Sequence, residues 1–182
     1  MNRNKYVFAQ LVEFLNYDKF FHIVQKYDGD KGNRCFTCWN QLLMMLFGQL
    51  SNRESLMDLV TIVQAHKAKA YHMGFGSAVN VSTMARANAS RNYKIFEEFA
   101  MYMIAYARRV SADAAFEVNT GGNIYAFDSS IISLCLSVFW WTTYKRDAGA
   151  VKLHTLLDVK TQIPCFMLVT PASVNDIKAM AY

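Results

Sequence analysis

The sequence predicts an α+β protein in which a helical first part, residues 1–117, precedes a β-rich second part, residues 118–182. Two observations predict this division. Before residue 118, apolar residues recur at the three-to-four-residue spacing of amphipathic helices. After it, the apolar spacing shifts towards two, and β-branched and aromatic residues accumulate. A turn-forming run, Thr120-Gly-Gly-Asn123, separates the two patterns and predicts a domain boundary.

The helices of the first part follow from apolar spacing, with no proline before Pro164 to interrupt them. Short polar and glycine-containing runs, Asp28-Gly-Asp30 and Gly74-Phe-Gly76, supply the breaks. Ser82 or Thr83 is expected to cap one of these helices. The predicted helices cover residues 5–15, 18–25, 39–50, 56–63, 84–90 and about 95–109.

Three strands are predicted in the second part. The first covers residues 124–129 and either continues or resumes over 131–139, the second covers 151–159, and the third covers 163–170. Residues 160–162 form a predicted hairpin connection between the last two strands. Ser173-Val-Asn-Asp176 resembles a capping box and predicts a helix that starts there.

Composition favours a packed protein over a disordered one, since 53% of its 182 residues are hydrophobic and 18% are charged. It contains no apolar run of about 18 residues, so no membrane span is expected. No apolar signal-peptide stretch follows residues 1–5, which makes the cytoplasm the expected location. Cys35 and Cys38 form a C-x-x-C pair with no second Cys/His pair, and we interpret them as ordinary reduced cysteines.

The net charge is +5, of which +4 lies in residues 1–117 and +1 in residues 118–182. This balance suits a phosphate-backbone partner, and a soluble basic domain accounts for it equally well. The short helix at residues 84–90 carries Arg86 and Asn88, with Arg91 just beyond it. It is either the second helix of a helix-turn-helix that points polar side chains at DNA or an ordinary surface helix.

Asp128 is the first candidate for chemistry because it lies in an apolar strand, Ile124-Tyr-Ala-Phe-Asp-Ser-Ser-Ile-Ile132. A carboxylate among apolar neighbours is costly unless it is paired or binds a metal. On strand alternation it shares a face with Ile124 and Ala126. Two interpretations stay open: a metal ligand, or an Asp satisfied by backbone N–H groups through Ser129 or Ser130.

Several segments in order resemble the DDE transposases of bacterial insertion sequences, in particular the insertion-sequence-four-like group. In the second part these are Phe127-Asp-Ser-Ser130, Leu134-Cys-Leu-Ser137 and Gly149-Ala-Val-Lys-Leu-His-Thr-Leu-Leu-Asp158. Upstream, residues 36–50 and Ala85-Arg-Ala-Asn88 resemble the helical domain that precedes the catalytic domain in this family. The resemblance covers residues 4–180.

This resemblance implies a ribonuclease-H-like domain, incomplete here, with its first three strands and the start of its first helix. Asp128 matches the first catalytic Asp, one of three carboxylates that hold two Mg²⁺ (or Mn²⁺) ions. The second Asp, in an Asp-Arg-Gly-Tyr-like segment, and a Glu further on are not found in the sequence. The implied function is DNA cleavage and strand transfer, with double-stranded DNA at the element's ends as partner. We expect these residues alone to be inactive in DNA cleavage. Self-association of the chain is a further possible interaction.

Two alternative functions are kept, a non-catalytic DNA-binding module and a non-functional remnant of a transposase. Three further acids are assigned to structure: Asp176 to helix capping, Asp158 to a turn and Asp147 to a loop. Lys152 and His154 alternate on one strand face. Three interpretations stay open: they contact a phosphate, they support Asp128, or they are merely hydrogen-bonded. Lys145 and Arg146 join Trp140, Trp141 and Tyr144 in an aromatic-basic cluster, which suits either DNA contact or internal packing.

Overall fold

The computed structural model describes residues 6–33, 35–76, 79–111, 122, 124–134, 143–145 and 148–180. Within these ranges the chain forms eight helices and four strands, which confirms the α+β class. The chain divides into two compact units, Met1–Met103 and Ile104–Tyr182. The boundary predicted between residues 117 and 118 lies outside the described residues and stays a prediction.

Seven helices are described before the sheet. Most begin at a side chain that caps the amino terminus: Asn16, Thr37, Ser55 and Asn80 each accept a hydrogen bond from the backbone N–H three residues later. The predicted cap at Ser82 or Thr83 is therefore wrong, because the helix starts earlier and Asn80 caps it. The helices are α1 (Val7–Val12), α2 (Tyr17–Lys26), α3 (Cys38–Leu50), α4 (Leu56–Ala65), α5 (Lys67–His72), α6 (Val81–Ser90) and α7 (Lys94–Val110).

Two hydrophobic clusters hold the first unit together, and α3 contributes to both. The larger cluster lies between α3, α4 and α6, where Leu43, Leu59 and Met84 are at most 3% exposed. The smaller one joins α2, the start of α3 and α7. Its fully buried members are Phe20, Ile23, Cys38 and Ile95. The apolar spacing in the sequence therefore predicts helix faces that are buried in the structure. α3 is buried on two sides, one in each cluster.

Gly29, in the turn after α2, lies where the smaller cluster leaves no room for a side chain. A Cβ at this position would lie 2.5 Å from Ile95 Cδ1 and 2.8 Å from Cys38 Sγ. Gly29→Ala is therefore expected to destabilise the protein by about 1–3 kcal/mol through overpacking. Chemical denaturation measures the loss. Ile95→Val removes the nearest atom, so the double variant should lose less than the two single losses added together. Additive losses would contradict this packing argument.

Four strands form an antiparallel sheet: β1 (Tyr125–Leu134), β2 (Thr143–Lys145), β3 (Ala148–Asp158) and β4 (Ile163–Pro171). The central strand is β3, which pairs with the other three. β1 is one continuous strand, and β2 was not predicted. Three long antiparallel strands followed by a short helix, α8 (Asp176–Ala179), agree with the predicted opening of a ribonuclease-H-like domain.

The hairpin between β3 and β4 forms at the predicted place. Asp158 Oδ1 accepts a hydrogen bond of 2.9 Å from the Lys160 backbone N–H, and its carbonyl oxygen accepts one of 2.8 Å from Gln162 N–H. Gln162 adopts the left-handed backbone region, with φ of 54°. The assignment of Asp158 to a turn is confirmed.

The register of the sheet separates its polar residues onto two faces. Ser129 of β1 lies opposite His154 of β3, which lies opposite Leu168 of β4. Asp128 lies opposite Thr155, one residue along, so its side chain points to the other face. The sheet therefore has a His154 face and an Asp128 face.

None of the helices in the described ranges has the length and apolar character that a membrane crossing requires.

Candidate functional site

Asp128 lies in the middle of β1 with its side chain exposed. Its Oδ1 accepts a hydrogen bond of 2.7 Å from the backbone N–H of Ser129. The sequence argument from the cost of a buried carboxylate does not hold, because solvent reaches this group. The hydrogen bond to Oδ1 fits one of the two interpretations, a carboxylate satisfied by a neighbouring N–H, and the interpretation as a metal ligand stays a prediction.

A two-metal centre requires carboxylates from separate chain segments. Among the residues that the structure describes, no group of three or more His, Cys, Asp or Glu side chains lies close enough to hold a metal ion. Asp128 offers an exposed carboxylate, the donor type that hard divalent cations prefer. The described residues nevertheless do not by themselves form a complete two-metal site.

The His154 face carries a polar cluster that joins β3 to α8. Asp176 Oδ1 lies 3.3 Å from Lys152 Nζ and 3.3 Å from His154 Nδ1. His154 is fully buried, and its Nε2 lies 2.9 Å from Thr170 Oγ1. Lys152 also donates a hydrogen bond of 3.0 Å to the carbonyl oxygen of Val174. These contacts fix the start of α8 against the sheet.

Asp176 therefore has a different role from the one predicted. The cap of α8 is Asn175, whose side-chain oxygen accepts from Ile177 N–H, and Asp176 is the first helical residue. A hydrogen bond from Ser129 lowers the pKa of the Asp176 carboxyl, and Lys152 lowers it further, against the opposing effect of desolvation. Asp176 is thus held ionised between β1, β3 and α8.

Asp176→Asn is expected to flatten the pH dependence of stability. A carboxyl whose pKa is lowered on folding stabilises the folded state above its unfolded pKa, about 3.9 for Asp, and this contribution is lost as the pH falls through the folded pKa. Thermal unfolding of the parent chain should therefore occur at lower temperature as the pH is lowered from about 6 to about 3. The Asn variant should show a smaller drop. Asp28→Asn, at a carboxyl that is 77% exposed, is the control, and equal drops in the parent chain and Asp176→Asn would refute the assignment.

Lys152 and His154 have positions that bear on the roles predicted for them. The His154 side chain is completely buried, and that of Lys152 is 14% exposed and already bonded, so neither is positioned to contact a DNA phosphate. Asp128 points to the opposite face, so neither residue contacts it directly, and their support of Asp128 through other residues stays a prediction. Ser129 lies between the two groups: its N–H donates to Asp128, and its hydrogen bond is the largest cause of the lowered pKa of Asp176.

The residues predicted to contact DNA from α6 differ sharply in exposure. Arg86 is exposed, and its Nε lies 3.4 Å from the carbonyl oxygen of Ser82 one turn back. Asn88 is also exposed, and its Oδ1 accepts a hydrogen bond of 2.6 Å from Gln41 Nε2. Of the three residues predicted on or beside α6, Arg86 is the side chain best placed to meet a partner.

Arg91 is instead a structural residue, with a side chain that is 5% exposed. Its guanidinium donates to Gln41 Oε1 at 2.7 Å, to the Thr37 carbonyl oxygen at 3.1 Å and to the Phe36 carbonyl oxygen, and it lies 3.6 Å from Asp30 Oδ1. The prediction of a DNA contact at Arg91 is therefore corrected, because its terminal N–H groups are used at the start of α3.

Part of the predicted aromatic-basic cluster lies outside the described residues. Trp140, Trp141 and Arg146 are not described, and for Tyr144 and Lys145 only the backbone, in β2, is described. The DNA contacts predicted for Lys145 and Arg146 therefore stay predictions.

The C-x-x-C pair has one exposed and one buried thiol. Cys35 and Cys38 are both free, and Cys38 is fully buried. Burial raises the pKa of the Cys38 thiol to about 12, so it stays protonated at neutral pH, the form that is poor as a nucleophile or metal ligand. This agrees with the interpretation of ordinary reduced cysteines.

Comparisons with known proteins match both parts of the chain. Residues 3–76 match a family model described as "Domain of unknown function (DUF4372)". Residues 119–182 match the model described as "Transposase DDE domain", and this range contains Asp128 and the whole described sheet. No curated protein matched the chain, and no solved structure matched it.

Proposed function

Since the chain belongs to the DDE-type transposases of insertion sequences, we propose that it takes part in cutting DNA and joining DNA strands when such an element moves. The observation that carries this proposal is the position of Asp128. It is exposed at the middle of β1, within the range that matches the transposase domain. Cytoplasmic residence, with DNA as the substrate, belongs to the same proposal.

Asp128 has the role of the first metal-binding carboxylate in this proposal. Mg²⁺ (or Mn²⁺) would activate the attacking hydroxyl and stabilise the leaving oxygen of the phosphodiester. The second Asp and the Glu of the family pattern would have to come from chain other than residues 1–182, which contain no Asp-Arg-Gly-Tyr segment. These residues alone are therefore proposed to be inactive in cleavage. Within the described residues, Ser129 N–H donates to Asp128 Oδ1, and the Asp128 side chain is exposed.

The helical unit would hold double-stranded DNA at the ends of the element. Its support is the exposed polar surface of α6, which presents Arg86 and Asn88. A guanidinium suits phosphate or guanine, and a side-chain amide suits adenine, although the bond from Gln41 already engages the Asn88 oxygen. Contact with DNA through α6 is thus proposed to rest mainly on Arg86.

Reconstitution with the missing carboxylates tests the proposal. Residues 1–182 are combined with a carboxy-terminal fragment that carries the family's second Asp and Glu, and duplex DNA with the element's end sequence is added with Mg²⁺. The expected result is cleavage at the element's end that requires both polypeptides and the metal. DNA binding without cleavage, in a complex shown to contain both polypeptides, would contradict a catalytic role for Asp128.

A non-catalytic DNA-binding module is the second candidate function. The specific observation in its favour is that the described residues form no metal-binding group of three, whereas the helical unit exposes cationic side chains. Salt-dependent binding to duplex DNA with no cleavage after reconstitution would support this alternative.

A further inference from the structure

The positive charge of the chain is concentrated in one stretch. Residues 59–96 contain no Asp or Glu, and they contain five cationic residues, which equals the +5 net charge of the whole chain. The five are Lys67, Lys69, Arg86, Arg91 and Lys94. This stretch forms most of α4, all of α5 and α6, and the first residues of α7.

Within this stretch α5 is anchored on one side, and three of its side chains are exposed. Ala70 and Met73 are buried in the larger hydrophobic cluster. Tyr71 is 80% exposed, and Lys69 and His72 are exposed as well. The Tyr71 side chain is therefore accessible to a partner, with a lysine and a histidine exposed on the same short helix.

The exposed part of α5 lies next to the start of α6. Gln64, near the end of α4, donates a hydrogen bond of 3.0 Å to the carbonyl oxygen of Val79, just before the cap of α6. Tyr71 and Val79 line one small cavity of about 160 Å³. Both α5 and α6 contact α4, and the shared cavity places Tyr71 near the segment that leads into α6.

Lys69 and Arg86 have no carboxylate partner among the described residues, whereas Arg91 is paired with Asp30. The acid on the adjoining helix, Asp58 in the first turn of α4, lies 3.5 Å from Arg53. Two unpaired cations and a tyrosine hydroxyl are groups that contact the phosphates of nucleic acid.

We propose that α5, through Lys69 and Tyr71, contacts the phosphate backbone of the same duplex DNA that Arg86 of α6 contacts. The choice of duplex DNA rests on the proposed function, and the surface itself rests on charge and exposure. In this arrangement α5 supplies affinity without reading sequence, since a lysine and a phenolic hydroxyl meet phosphate oxygens rather than base edges.

Salt-dependent binding of the 182-residue chain to duplex DNA tests this. Lys69→Ala should weaken binding to all sequences and lower the slope of log affinity against log salt by about 0.9, the value for one phosphate contact. Tyr71→Phe, which removes only the hydroxyl, should weaken binding severalfold. Lys31→Ala, at a cation paired with Asp28 in the turn after α2, is the matched control and should leave the slope unchanged. Circular dichroism should show unchanged folding, because all three side chains are exposed.

The outcomes separate this inference from the proposed function. If the parent chain binds duplex DNA and Arg86→Ala weakens it, but Lys69→Ala and Tyr71→Phe bind like the parent, α5 is not a contact surface and the proposed function stands. If the variants at α5 lose affinity and the reconstituted enzyme does not cleave, the surface stands and the catalytic proposal fails. Stronger binding to single-stranded RNA or to anionic vesicles than to duplex DNA would overturn the choice of partner.

Discussion

Asp128→Asn is expected to abolish Mg²⁺-dependent DNA cleavage by the reconstituted transposase, with a loss of about a thousandfold or more. A carboxylate that ligates a catalytic metal contributes several kcal/mol to the transition state, and each loss of about 1.36 kcal/mol is tenfold in rate. The amide of Asn keeps an oxygen that accepts the Ser129 N–H and removes only the charge. Single-turnover cleavage of end-sequence DNA in the presence of the carboxy-terminal fragment measures the effect.

Binding and folding provide the controls for this prediction. Because the Asp128 side chain is exposed, the Asn variant should unfold at the temperature of the parent chain and bind DNA with at least equal affinity. Asp28→Asn removes another exposed carboxylate and should leave cleavage unchanged. Full cleavage by Asp128→Asn would show that another group is the first metal ligand.

The elements that the sequence predicted well are those in which a periodic apolar pattern extends over several turns. Four helices start and end within a few residues of the predicted positions: α2, α3, α4 and α7. An apolar stripe defines each of these helices over several turns. α5 was missed because it is six residues long and its apolar side is little more than Ala70. A helix this short depends on packing against α4, and no local pattern records that contact.

The helix caps show why sequence alone does not identify the capping residue when several neighbouring residues could cap the same helix. Asn80, Ser82 and Thr83 all carry side chains that cap helices, and only the position of the first helical residue decides between them. The same holds at Asn175 and Asp176. Asn175 takes the cap, which leaves the Asp176 carboxylate free to meet Lys152, a residue 24 positions earlier. Lys152 and Asp176 come together because α8 packs against the sheet after β4. Local sequence signals cannot predict this contact.

The part of the candidate site that could be predicted is the part in which strand alternation alone determines the face on which a side chain lies. Alternation placed Lys152 and His154 on one face, and the structure agrees. The relation of that face to Asp128 depends on register across β1 and β3, and a shift of one residue would reverse it. Burial of Arg91 was equally beyond sequence reasoning, since its partners lie 50 or more residues away on the chain.

Arg91→Ala is expected to lower the free energy of unfolding of the helical unit by about 3 kcal/mol, from the usual cost of leaving buried acceptors unsatisfied. Removing the guanidinium leaves the carbonyl oxygens of Phe36 and Thr37 and the side-chain oxygen of Gln41 without this donor, and it leaves Asp30 without its cation. Asp30 also accepts a hydrogen bond of 2.6 Å from Cys38 N–H at the first turn of α3. The loss is therefore expected to spread to the start of α3.

Denaturant unfolding followed by circular dichroism measures this effect, with Arg86→Ala as the matched control on the preceding helix. Arg86 is exposed, so its removal should change stability by less than about 0.5 kcal/mol while it weakens DNA binding. Arg91→Lys keeps the positive charge, but it cannot reproduce the planar fork that meets several oxygens, so it should recover only part of the stability. If Arg91→Ala instead unfolds like the parent chain and loses DNA affinity as Arg86→Ala does, Arg91 is a DNA contact and its structural assignment is wrong.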